Sequence, residues 1–198
     1  MSGALWPCVE MFAGWPRPWT YWRREKGTWR VSKWLLSKQE AVWRAKRGEP
    51  VGVWQCYKEG GNNCAKRDVV TFKLDARECQ DLGCVLARYK TQLTMLAQLL
   101  EKYKPLTWYD GGKSVYFVVL IQPVDAEWRM KPEWGEGLVN TLGLDVGKKS
   151  ARHGILLPCS PHPETGRVAT WLDPLTLEPA PPPKALPPRV DPRIFLSP

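Results

Sequence analysis

Two histidines, His153 and His162, are all the chain carries in 198 residues, and its 20 acids are outnumbered by 29 lysines and arginines. Neither histidine stands at zinc-finger spacing from a cysteine, and the six cysteines form no Cys-x-x-Cys pair, so a finger-type metal site is not read. No basic stretch followed by an unbroken apolar run opens the chain, so no secretory signal is expected. No run approaches the roughly 20 apolar residues that cross a bilayer. A soluble, cytoplasmic protein without membrane contact is the expectation. No internal repeat is visible.

What is abundant is positive charge and tryptophan. A net charge of +9 favours a polyanionic partner or an acidic protein surface, and the 43% apolar content suffices for a packed core. Of the 12 tryptophans, eight precede residue 55 and read as core or subunit interface. Most cysteines read as small buried hydrophobes. Two alternatives stay open: a Cys56–Cys64 disulfide, as hyperthermophile proteins carry inside the cell, and a four-cysteine zinc site from Cys56, Cys64, Cys79 and Cys84. Cys79 and Cys84, five apart at the start of an expected helix, would lie on different faces of it.

Three regions are expected: a Trp/Pro-rich irregular arm over 1–20, an α+β domain over 21–178, and a proline-rich tail over 179–198. The tail is extended in the polyproline manner, and its Val190, Ile194, Phe195 and Leu196 either dock on a surface or stay disordered. Within the domain, 21–34 reads as a hairpin turning at Lys26-Gly27. Ser37-x-x-Glu40 opens a helix to Lys46. Val51–Tyr57 alternates as a strand and 60–63 is a loop. Residues 69–75 form a buried-type strand. The longest helix is expected from Ala76 to Tyr103, with Leu82, Val85, Leu86, Tyr89, Leu93, Leu96, Leu100 and Tyr103 on one face and Pro105 stopping it. The strand Val115–Ile121 is so apolar that a central position follows. A helix around Glu133–Leu142, a basic loop at Lys148-Lys149, and strands at Gly154–Leu157 and Val168–Leu172 complete the globule.

The chemistry concentrates at strand ends. Alternate residues of a strand share a face, so Lys73 and Asp75 side by side neutralise a position where two acids would gather divalent metal. Asp75 also suits the N-cap of the helix that follows. Gly111-Gly112-Lys113-Ser114 offers backbone amides, a hydroxyl and an ammonium group, a small anion-binding concavity or a plain glycine turn. Arg77, Lys148, Lys149, Arg152 and His153 extend the basic surface. His162, between two prolines, has no nucleophile or acid paired with it by spacing.

In this order the motifs resemble those of the archaeo-eukaryotic primase superfamily over roughly 20–175. Phe72-Lys73-Leu74-Asp75-Ala76 resembles the acid-x-acid first motif. Asp110-Gly111-Gly112-Lys113-Ser114-Val115-Tyr116 resembles the second, with Tyr116 where the family has a histidine. The segment from Arg152-His153 through Leu157-Pro158-Cys159-Ser160 to His162 and Gly166 resembles the late one. The resemblance implies a mixed, RRM-like sheet flanked by helices and three strands around one cleft. It also implies nucleotide contact from Lys73, Asp75, Arg77, Lys113, Ser114, Tyr116, Arg152, His153, Ser160 and His162. Because Lys73 replaces an acid and the third-motif acid has no clear counterpart, the chain looks most like the non-catalytic third subunit of archaeal primases. That subunit supports primer initiation beside the large and catalytic small subunits, binding nucleoside triphosphate and single-stranded DNA or RNA primer, with no cofactor of its own. The alternatives are a divergent active primase-polymerase using magnesium or manganese through Asp75 with Asp110 or Asp145, and a plasmid or virus nucleic-acid-binding protein.

Overall fold

The computed structural model describes residues 6–25, 28–143 and 150–198, with side chains described for 8–17, 35–143 and 150–198. A short helix, α1 (Trp6–Glu10), precedes the hairpin β1 (Arg17–Glu25) and β2 (Thr28–Leu36), whose expected turn at Lys26-Gly27 lies outside the described residues. Helix α2 (Lys38–Lys46) follows, with Ser37 accepting a hydrogen bond from the Glu40 amide at 3.1 Å. Glu40 turns to Arg44 instead of closing the reciprocal half of the capping box.

The stretch expected as one strand, 51–57, is two. β3 (Val51–Trp54) joins a four-stranded antiparallel sheet ordered β2-β1-β3-β9, with β9 at Gly154–Leu156. β4 (Cys56–Glu59) edges a five-stranded sheet ordered β10-β6-β7-β5-β4, with β5 at Asn62–Asp75, β6 at Leu106–Tyr109, β7 at Ser114–Asp125 and β10 at Thr170–Trp171. The chain changes sheet at buried Gln55, whose backbone N–H donates to the Ala151 carbonyl and whose side-chain amide donates to that of Ser150. A tight turn at Gly60-Gly61 leads into β5 (Asn62–Asp75), which begins earlier than expected and bulges near Asp68. Helix α3 (Leu82–Leu100) then continues as a single 3₁₀ turn over Glu101–Tyr103.

The expected start of α3 at Ala76 is wrong by six residues. Residues 76–81 form a turn, and the N-cap is Asp81, accepting from the Cys84 amide at 2.9 Å, so Asp75 does not cap this helix. That turn also folds Cys79 back onto Cys84, and the two are disulfide-bonded instead of facing apart. Cys56 pairs with Cys64 across the β4–β5 hairpin, and Cys8 pairs with Cys159, so the reading of most cysteines as unpaired core residues is corrected and none is left for zinc.

β6 (Leu106–Tyr109) and β7 (Ser114–Asp125) form the next hairpin, and β7 is central, as its apolar run requires. β8 (Arg129–Met130), a 3₁₀ turn at Pro132–Trp134, α4 (Glu136–Leu142), β9 (Gly154–Leu156), β10 (Thr170–Trp171), another 3₁₀ turn at Pro192–Ile194 and β11 (Leu196–Ser197) complete the chain. The basic loop at Lys148-Lys149 and Asp145 lie outside the described residues.

The five-stranded sheet is buried on both faces, which is why its middle strands are apolar at consecutive positions. Val70, Phe72 and Leu74 of β5 and Phe117, Val119 and Ile121 of β7 pack against α3, α4 and the chain's end. Val69, Tyr116, Val118 and Leu120 face β3, β9, α2 and the amino-terminal segment. Burying a side chain of this size contributes about 1.5–3 kcal/mol.

The described residues of both terminal segments are built in. The stretch expected as an irregular arm holds α1, buries Met11 and Phe12 fully, and supplies the first residues of β1, so a boundary at residue 20 falls inside a strand. The proline-rich tail takes the docked alternative: Val190 bridges to Ile121, β11 pairs with β8, and fully buried Phe195 meets Tyr103 and Trp134 at 4.9 and 4.8 Å between ring centroids. Among the described residues no helix is long and apolar enough to cross a membrane.

Candidate functional site

At the end of β5, Lys73 and Asp75 lie on the face turned toward β9, and the antiparallel register sets them opposite Tyr116 and Ser114 of β7. Lys73 Nζ sits 3.5 Å from Asp75 Oδ2 and 5.6 Å from the centre of the Tyr116 ring. That ring is buried and stacked on Trp108, 5.3 Å away and 11° from parallel, so a base has no free face of it to stack on. Burial first, then the negative charge of Asp110 and Asp75, pushes the Tyr116 phenol well above its ordinary pKa and keeps it protonated. The Ser114 hydroxyl and Asp75 Oδ1 are buried without a hydrogen-bond partner.

The turn between β6 and β7 is organised by Asp110. Its Oδ1 accepts from the amides of Gly112, Lys113 and Ser114 at 2.9, 3.1 and 3.0 Å. These are the amides expected to cradle a ligand anion. The concavity exists, but the chain's own carboxylate fills it, so this part of the expectation is corrected. An Asp followed by two glycines is a turn-forming signal of this kind, whereas the motif resemblance offers Asp110 only as a metal ligand.

The two glycines are required by what packs on them. Gly111 has φ +84°, and a Cβ there would overlap the Arg167 carbonyl; one on Gly112 would overlap the His162 ring. The 162–167 turn lies on this loop, with the Thr165 hydroxyl donating to the Gly111 carbonyl at 2.8 Å. His162 Nδ1 accepts from the Glu164 amide at 3.2 Å, which leaves Nε2 to carry the proton, 3.9 Å from Asp110 Oδ2. Burial lowers the His162 pKa against the opposing pull of Asp110 and Glu164, so the ring is neutral at pH 7.

Together these groups enclose a cleft of about 300 Å³, lined by Lys73, Asp110, Lys113, Ser114, Tyr116 and His162, with Leu156 of β9 on its far wall. The three motif-bearing strands therefore meet. A second cavity of about 230 Å³ shares Lys113 and Glu164 with the first and adds Arg77, Gln80, Thr165 and Arg167. Glu164 lies within the late-motif segment but has no role assigned by it, and Arg167 carries no sequence signal; the packing of their turn on the double glycine brings them in.

Other expected residues lie elsewhere. Ser160 is fully buried and donates to the carbonyls of Val51 and Leu157, which fixes the turn after β9. Arg152 and His153 are exposed in the turn before β9 and do not line the cleft.

A divalent ion fits this donor set poorly. Asp75 Oδ2 faces a lysine, Asp110 Oδ1 is committed to three amides, and among the described residues no three His, Cys, Asp or Glu side chains converge on a point that a metal ion would take. What these side chains offer a ligand is fixed charge and hydrogen bonding.

No family model and no curated protein matches the chain. Among solved structures it is similar to the AEP domain of the primase-polymerase (PrimPol) of cyanophage S-2L, with 18% identity, 80% of each chain covered and a TM-score of 0.51. The likeness is one of fold: the chain has the α+β architecture of a primase-polymerase AEP domain.

Proposed function

We propose that the cleft between β5, β7 and β9 binds the polyphosphate of a nucleotide, and that the chain acts as a non-catalytic accessory subunit of a DNA primase. In that role it would bind nucleotide and template beside the large and catalytic subunits and support primer initiation. The observation that carries this reading is Lys73. Its ammonium group stands at the strand end where an acid pair would hold metal, inside a cleft whose other cation is Lys113. A cation fixed by the protein attracts phosphate oxygens without bringing the ion-held geometry that nucleotidyl transfer needs. Ser114, which lines the same space, adds a buried hydroxyl without a partner.

Equilibrium binding of a fluorescent nucleoside triphosphate tests it. The full chain should bind without divalent metal, and Lys73→Ala and Lys113→Ala should each weaken binding about tenfold, the loss of one charge-assisted contact. Primer synthesis by the chain alone in manganese, abolished by Asp75→Asn, would replace this reading with that of an active primase-polymerase. Unchanged triphosphate affinity in both lysine variants would leave only general nucleic-acid binding.

A further inference from the structure

Helix α2 lies outside the cleft and carries four cations against one acid from Lys38 to Arg47. Its buried side is Ala41 and Ala45; its outer side presents Trp43, Lys46 and Arg47 at i, i+3 and i+4, neighbours on a helix surface. Trp43 is 52% exposed, unlike the other tryptophans whose side chains are described, which are buried or half-buried. The Arg47 guanidinium sits 4.6 Å from the centre of its ring, which holds the indole on the surface, while Arg47 also pairs with Glu49. Lys46 has no ion pair among the described residues.

A cavity of about 500 Å³ runs from Lys46, at the end of α2, to His162, Pro163 and Val168, and Val168 is 56% exposed. His162 and Pro163 also line the Lys73 cleft, so the two spaces lie on either side of one shared wall. An exposed indole braced by a guanidinium, an unpaired lysine one turn away and a groove that leads from that lysine to His162 have the make-up of a stacking platform with a phosphate track.

We infer that Trp43 is a base-stacking platform for a single strand of nucleic acid, whose backbone passes Lys46 and enters the groove toward His162. Lys38, Arg44 and Arg47 pair with Glu10, Glu40 and Glu49, which leaves Lys46 as the cation of this face open to a ligand; with a net charge of +9 on the chain, that favours a nucleic-acid strand over a protein surface. The inference rests on the proposed reading of the cleft as a nucleotide site only for the direction in which the strand runs.

The test is anisotropy of a labelled oligothymidylate and of an abasic strand of equal length, with the full chain at fixed salt. Trp43→Ala should weaken oligothymidylate binding by about five- to a hundredfold, as the loss of one stacked base does. It should leave abasic binding unchanged, and Trp43→Phe should restore most of the loss. Equal oligothymidylate affinity in Trp43→Ala and the parent chain overturns the inference. So does an equal loss on both strands, which would make Trp43 a brace for Arg47. A change in sedimentation with strand affinity intact would make it a protein contact instead. Triphosphate binding measured on the same variants separates the two proposals: Trp43→Ala leaves it intact, whereas Lys73→Ala weakens it only if the cleft reading holds.

Discussion

Strand β5 carries an ion pair near each end of its packed length, and the two differ in every respect that matters. Asp68, at the bulge, is fully buried against fully buried Arg17, takes the Ala13 amide at 2.7 Å, and lies 3.7 Å from Arg189. Arg189 in turn donates to the carbonyls of Asp68, Ile121 and Met11, so one cluster fastens the amino-terminal segment, the sheet and the tail. Burial lowers the Arg17 pKa, and Asp68 opposes that shift. Lys73 and Asp75, at the other end, are 21% and 30% exposed and meet at 3.5 Å beside an open cleft. The same pair of charges holds the fold together where water is excluded and remains available to a ligand where water reaches it.

The sharpest way to break this comparison is Asp68→Ala. It strands Arg17 as an uncompensated buried charge and should cost about 3–5 kcal/mol in denaturant unfolding. A loss below about 1 kcal/mol would mean that the cluster is wet and the contrast with the cleft is lost. Gly112→Ala comes next. Its Cβ would displace His162, so we expect a loss of about 1–3 kcal/mol in stability together with weaker triphosphate binding, whereas Gly61→Ala, with open space around it, should leave both unchanged.

His162 gives a pH signature. Its folded-state pKa lies below the ordinary 6.5, so the unfolded chain takes up the proton first. Stability should therefore fall as pH drops below about 6.5 and level off once the folded ring also protonates. Thermal unfolding at stepped pH should show that segment in the parent chain and lose it in His162→Gln; an unchanged profile would show that the ring does not titrate as its burial demands. Smallest of all, Lys38→Ala removes a pair with Glu10 that is exposed on both sides, and should change stability by less than about 1 kcal/mol. Lys73→Ala belongs near this end for stability while moving triphosphate affinity about tenfold; a large stability loss would place the cleft pair with Asp68 after all.

Much of the scaffold is legible in the sequence because its signals are local. The Ser37 cap, the apolar run of β7 and the one-sided periodicity of α3 each express a rule that acts within a few residues. The start of α3 is not legible in the same way, because the 76–81 segment has helix-compatible residues, while Asp81 offers a better cap and Cys79 is drawn back to Cys84. In the cleft, Lys73, Lys113 and Ser114 are readable from their motifs. Arg152, His153 and Ser160 enter the expected site through the resemblance of their segment to the late motif, and they do not line the cleft.

The sequence by itself determined the strand faces and the placing of Lys73 beside Asp75, because side-chain alternation along a strand needs no partner to be defined. It also determined the double glycine at 111–112, though not its purpose. Tertiary structure decided which charges are dry and which are wet, that the Asp110 carboxylate fills its own turn, and that the described residues of both terminal segments close over the core. Burial, and the hydrogen bonds that burial makes obligatory, depend on segments more than a hundred residues apart in the chain, and spacing along the sequence does not encode that distance.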